Sequence, residues 1–360
     1  EKVGLTGNTK VICRSGNPTD KIDLEIINPN QAKSIIVLPP EGSYADIGIV
    51  KTIVALLTTI EDSNKTLHIV TEARYKENSD LIKIVGQNQV EVVLSNDIIS
   101  KVIAQTCRQP GLSVVYSELL SFNGKFHYKD IKGPWYKDSS GDEIYFYFEK
   151  QLADHSYYDA IIGYPYATVM GIFTENDEVL LNPNMNYIIK STDKIICIAE
   201  DKEKINYEVH SDSDVNSENI INEAMPHKKE HILILNWNRY TSTVIKELDD
   251  YIMPGSNITV LTSGNYHEDF DMNVLKNCQL VFVGGDPTNR AILENIEINK
   301  YDNIIVLGDL DHCTVEQADS KTLISLLHIR DICVNQKYNP TIISQILDEK
   351  NRQTALHTKA

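Results

Sequence analysis

Carboxylates are the side chains of this sequence best placed to do chemistry together. Asp309 and Asp311 follow directly on the apolar run 304–307, and Glu316 and Asp319 lie just beyond. Hard oxygen ligands this close suit Ca2+ or Mg2+, and the carboxyl end of a strand is where open α/β sheets take their ligands. The competing assignment is structural, since Asp and Glu at a helix start cap its N–H groups and meet its dipole. A second acidic pattern, Asp212-x-Asp214-x-Asn216-Ser217 with Glu223 at the twelfth position, nearly matches a calcium loop. It carries Ser217 for the turn glycine and Asn219 where an apolar residue packs, so an acidic linker accounts for it better. His227-Lys228-Lys229-Glu230-His231 spells H-x-x-E-H, but His231 opens the apolar run HILILNW. In a strand that spacing does not form a helical ligand pair, which removes the zinc-protease reading. No nucleophile elbow, P-loop or supported Cys/His pair occurs, so the chain reads as non-catalytic.

Positioning these acids falls to strands and helices that occur twice. Residues 11–38 and 281–307 each show a short apolar strand, a Gly-containing polar turn, Pro-Thr, an amphipathic stretch and an I-I-V-L strand. Pro18 precedes Ile35, and Pro287 precedes Ile304, by the same 17 positions. Both copies continue into an amphipathic helix, 45–60 and 315–332, and another apolar strand, 67–71 and 341–344. Continuous apolar strands alternating with helices predict a parallel sheet covered on both faces. Each copy is therefore a Rossmann-like α/β domain. In the second copy, strands at 231–236 and 258–261 and a helix at 241–251 precede the repeat. The turn after its first strand, Asn236-Trp237-Asn238-Arg239-Tyr240-Thr241, has no glycine, which disfavours dinucleotide binding.

Between the copies the pattern changes. Short strands at 144–148, 169–173, 187–189 and 194–199, broken by Gly, Pro and Asn, predict a smaller α+β lobe. A Ser-, Asn- and Asp-rich linker follows. The expected domains are 1–107, 108–205, the linker 206–229, and 230–360. About 39 residues that would build the first strand and helix of copy one are missing, and copy two stops early. The chain is expected to be cut from a longer polypeptide on both sides.

Composition narrows the partners. With 34 basic and 51 acidic residues the net charge is −17, against a phosphate-neutralising or lipid-docking basic surface. The most apolar stretch, 49–60, is too short and too polar to span a bilayer. Six dispersed cysteines without a C-x-x-C pair read as reduced, mostly packed thiols.

Several segments carry a family resemblance: VICRSGNP (11–18), CRQPGL (107–112), LNPNMNY (181–187), IICIAED (195–201), QADSKTL (317–323), LLHIRDI (326–332) and ISQILD (343–348). In this order they resemble the soluble regulatory region of CASTOR/POLLUX-type ion channels, built from RCK (regulator of K+ conductance) domains. The resemblance implies two Rossmann-like N-lobes separated by a C-lobe, and a cytosol-facing gating ring of four subunits. It also implies a pore-forming transmembrane segment upstream in the same polypeptide. The chain's role would be to couple ligand binding, with Ca2+ the candidate, to pore opening. Related calcium-gated domains place an acid at a strand end in a pattern like Thr71-Glu72-Ala73, which adds Glu72 to the candidate metal residues Asp309, Asp311 and Glu316. Arg74 stands where a second acid is expected, and Leu38-Pro39-Pro40 displaces another. The alternative is a TrkA-like nucleotide-sensing subunit of a potassium transporter.

Overall fold

The computed structural model describes residues 10–40, 45–59, 67–120, 142–208, 228–264 and 270–357. It divides into two compact units, residues 1–107 with 229–360, and residues 108–228.

The first half of the larger unit starts with α1 (Lys21–Ile27), capped by the Asp20 carboxylate on the Ile22 N–H. There follow β1 (Ile35–Val37), α2 (Ala45–Thr59), β2 (Ile69–Ala73), α3 (Lys76–Gly86), β3 (Val90–Leu94) and α4 (Ser95–Arg108). The three strands pair in parallel in the order β1-β2-β3. Ile49, Ile53 and Leu56, spaced to share one face of α2, bury themselves against Ile69 and Ile82. The apolar strand expected near residue 11 does not form: 10–17 has no strand pairing, and Val11 and Ile12 are exposed. A strand needs a neighbour, and the sheet of the first half contains none for it among the described residues.

In the smaller unit, Gly111 adopts φ +94° in the turn before α5 (Leu112–Leu119). Then come β4 (Glu143–Tyr147), α6 (Tyr157–Ile162), β5 (Ala167–Phe173), β6 (Val179–Leu181) and β7 (Lys194–Ala199). These strands form an antiparallel sheet in the order β4-β7-β5-β6. The strand expected at 187–189 is reduced to a single bridge between Ser156 and Ile188. Asn184 and Asp193 pull that segment into turns, Asp193 accepting from the Lys190 N–H and the Tyr187 hydroxyl.

The second half of the larger unit comprises β8 (His231–Leu235), α7 (Thr241–Tyr251), β9 (Ser256–Thr262), β10 (Cys278–Gly284), α8 (Arg290–Asn295), β11 (Asn303–Val306), α9 (Val315–Gln336), β12 (Thr341–Ser344) and α10 (Glu349–His357). Its strands are all parallel in the order β10-β9-β8-β11-β12. The strand order therefore reverses between β8 and β11, which opens a crevice at their carboxyl ends. Every residue of β11 is buried, as its apolar run Ile304–Val306 requires.

One helix crosses between the halves. Ala104 and Cys107 of α4 are buried in the same core as Ile232, Ile234, Val244 and Ile258 of the second half. Ser100 Oγ also donates to the Tyr240 carbonyl at 3.3 Å. A helix of the first half thus covers a face of the second sheet.

Candidate functional site

The crevice between β8 and β11 is filled by the chain's own side chains. Asn236 takes the left-handed conformation, φ +71°, that glycine usually supplies in such a turn. Its Nδ2 donates to the Leu307 carbonyl at 2.9 Å. Asn238 Nδ2 donates to the Gly308 carbonyl at 2.7 Å and to Gln345 Oε1 at 3.1 Å, and Gln345 Oε1 also accepts the Gly308 N–H at 3.2 Å. Trp237 turns away into the core, against Phe270 and Phe282.

The start of α7 holds an anion that belongs to the protein. Asp311 accepts the Arg239 backbone N–H at 2.9 Å and its guanidinium through Nε at 2.9 Å and Nη2 at 2.8 Å. This carboxylate occupies a turn N–H of the kind that binds phosphate in a dinucleotide fold. Between internal amides and an internal carboxylate, the turn leaves a pyrophosphate no open N–H at Arg239.

Asp309 has its own cation. Lys321 Nζ lies 2.9 Å from Oδ2, His312 Nδ1 lies 3.0 Å from Oδ1, and Cys313 Sγ donates to Oδ2 at 3.2 Å. Burial alone would raise the Asp309 carboxyl, but bonds from Lys321, Cys313 and His312 outweigh it and hold it below the ordinary carboxylate range. Its bond to Asp309 in turn holds the Lys321 ammonium above the usual lysine value. Glu316 is exposed on the first turn of α9, which the Thr314–Gln317 capping box starts. With Cys313, Gln317, Ser320 and Lys321 it lines an open groove of about 520 Å³. Glu72 lies in the first half, accepting from Ser95 Oγ at 2.6 Å. Its charge and that of Asp311 both help raise the Tyr240 phenol, after burial, the largest cause.

Asp309, Asp311 and Glu316 thus share one loop–helix junction without converging, and Glu72 belongs to the other half. Among the described residues no three His, Cys, Asp or Glu side chains are arranged to hold a metal ion. The near-match to a calcium loop at 212–223, and His227, lie outside the described residues. His231 opens β8, its N–H bonded to Asp302 Oδ2 at 3.0 Å.

Asp319, the last acid of the cluster that follows β11, and Asp46 in the first half have a role that residue type alone does not disclose. Asp46 accepts from the Arg74 N–H at 3.3 Å, the Tyr75 N–H at 3.4 Å and Asn78 Nδ2 at 2.7 Å. Asp319 accepts from the Leu347 N–H at 2.9 Å, the Asp348 N–H at 3.0 Å and Asn351 Nδ2 at 2.9 Å. The separations of 28, 29 and 32 residues are identical in the two halves. That equal spacing of Asp and Asn is the only trace of the clamp in the sequence.

Comparison with known proteins follows the same lines. A family model described as "Castor and Pollux, part of voltage-gated ion channel" matches residues 96–138 and 136–215. The "Probable ion channel CASTOR" of Oryza sativa subsp. japonica is 30% identical over 339 residues, 90% of this chain and 36% of that protein. The "Calcium-gated potassium channel TvoK" of Thermoplasma volcanium is 29% identical over 135 residues, 37% of this chain and 35% of that one. In structure, the human SLO3 gating ring superposes with a TM-score of 0.62 at 14% identity, covering 87% of this chain and 62% of that chain. The chain has that fold, and it spans little more than a third of the length of the curated relatives it matches.

Proposed function

We propose that this chain, a relative of the CASTOR and POLLUX ion channels in sequence and of gating rings in fold, is the ligand-sensing regulatory module of a cation channel. The observation that carries the reading is a pair of parallel α/β halves, the second of which has its nucleotide turn closed by Asn238, Gln345 and the Arg239–Asp311 pair. Such halves serve as mechanical parts that a ligand biases, through higher affinity for one arrangement. Nothing in the crevice favours a nucleotide-sensing subunit over this reading.

Exposed apolar helix faces suited to self-association support it. Ile47 and Val54 on α2, and Leu327 and Val334 on α9, are exposed apolar residues seven apart on one helix face. Each half therefore offers an outer helix face to another copy, and the assembly we put forward is a homotetramer joined to a pore-forming segment of the same polypeptide. No helix among the described residues is long and apolar enough to cross a membrane.

The ligand to test is Ca2+, which would take Asp309, Asp311 and Glu316 by displacing Lys321 and Arg239. Millimolar Ca2+ is expected to raise the melting temperature more than Mg2+ does, and Asp309→Ala to abolish the difference. Equal shifts from the two ions, or none, would remove calcium. Light scattering of the chain is expected to give a multiple of the monomer mass, and a strict monomer at high concentration would count against the ring.

A further inference from the structure

We propose that Asp319, and Asp46 in the first half, are positioning residues that pass movement of the strand-end loops to the outer helices. The inference rests on the reading of the chain as a ligand-responsive module and names where the response would travel.

The first N–H groups of a helix have no partner inside it. Just before α10 the N–H groups of Leu347 and Asp348 are met from another helix, by Asp319 of α9. At α3 the cap residue Tyr75 makes no side-chain capping bond, and Asp46 of α2 accepts the N–H groups of Tyr75 and of Arg74 before it. Asp319 is fully buried and Asp46 nearly so. Each carboxylate therefore spends its oxygens on two backbone N–H groups and one Asn amide, in a place water does not reach.

The bonded loops lead straight to the crevice. Gln345, two residues before Leu347, holds Asn238 and the Gly308 N–H. Glu72, two residues before Arg74, is the penultimate residue of β2. If the segment 345–348 shifts, either α9 follows or Asp319 loses charge-assisted bonds with no water to replace them. Following is the cheaper course, so loop and helix move as one body. Lys321, on the same helix, ties the Asp309 loop to α9 as well. Both loops of the crevice are thus fastened to the helix that carries exposed Leu327 and Val334.

Hydrogen exchange on the whole chain tests this through a double-mutant cycle. Gln345→Ala and Asp319→Asn should each speed exchange of α9 and α10 amides by about tenfold, from the loss of buried bonds. The double variant should match the larger single effect, while Asp46→Asn should affect α2 and α3 only. Multiplying effects in the double variant would overturn the proposal, because a merely structural Asp319 adds independently of Gln345. If Asp319→Asn fails to fold by circular dichroism, Asn351→Leu replaces it, with the same non-additivity expected and the same multiplication overturning it. A Ca2+ arm separates the two readings. No exchange response of the native chain to millimolar Ca2+, with a non-additive cycle, removes calcium and keeps the coupling. A clear response with an additive cycle does the reverse.

Discussion

Ile36 of β1 and Ile305 of β11 hold the same place in the repeated I-I-V segment, yet Ile36 is 70% exposed and Ile305 is fully buried. The residue is the same; the neighbours differ. β11 lies between β8 and β12, whereas β1 pairs with β2 alone among the described residues. A second contrast lies at the following loop. In the second half Asp309 is bound to Lys321 of α9, whereas in the first half Pro40 stands against Gly48 of α2, where an added Cβ would come within 2.8 Å of the Pro40 ring. One duplicated frame thus fastens its loop to its helix by charge in one copy and by close packing in the other. The chemistry of a repeat can diverge completely while its skeleton and its Asp–Asn clamp persist.

The comparison can be broken or sharpened by measurement. The largest effect is expected at the sheet centre: Ile305→Ala should cost about 2–5 kcal/mol in urea unfolding. Ile36→Ala should cost under about 1 kcal/mol, as for an exposed site. Equal losses would mean that β1 is as enclosed as β11, and the contrast would fall. Next in size, Asp319→Ala should destabilise by about 2–3 kcal/mol, leaving buried N–H groups without acceptors. Asp46→Ala should cost less, since its backbone bonds are 3.3–3.4 Å against 2.9–3.0 Å at Asp319.

The smallest effect concerns pH. The Asp309 carboxyl is held below its unfolded value, so the stability it adds is present above about pH 4 and fades as pH falls through the folded value. Lys321→Met removes the main cause of that depression. It should flatten the acid limb of a stability–pH curve and, the lysine being 44% exposed, cost about 1 kcal/mol or less at neutral pH. Since Pro40 and Gly48 carry no charge, Gly48→Ala should leave the acid limb unchanged. A matching acid effect there would assign the pH response to some other pair.

Much of the fold was legible because the strands are unbroken apolar runs. The segments 194–199 and 341–344 and the helix 241–251 form with the expected limits. The expected strand at 187–189 gave way to turns set by Asn184 and Asp193, and the one near residue 11 to pairing that local sequence does not encode. Residues 281–283 enter β10 because β9 lies beside them, while Val11 and Ile12, in a similar pattern, pair with no strand among the described residues. Of the site, the glycine-free turn at 236–241 and the acids after β11 could be read directly. Their partners could not: Lys321 reaches Asp309 across 12 residues, and Arg239 meets Asp311 across 72. Asp46 and Asp319 look like ordinary acids near helix starts, and only bonds to loops some 28 residues away give them their role.

The placement of Ala104 and Cys107 beneath the second sheet has a consequence for the history of the chain. A recombination that carried 230–360 elsewhere would deliver strands whose inner wall had been left behind on α4. During synthesis that wall emerges more than a hundred residues before β8, and it must wait as an apolar surface until the strands arrive. What began as two interchangeable copies is now inherited, and must mature, as a pair.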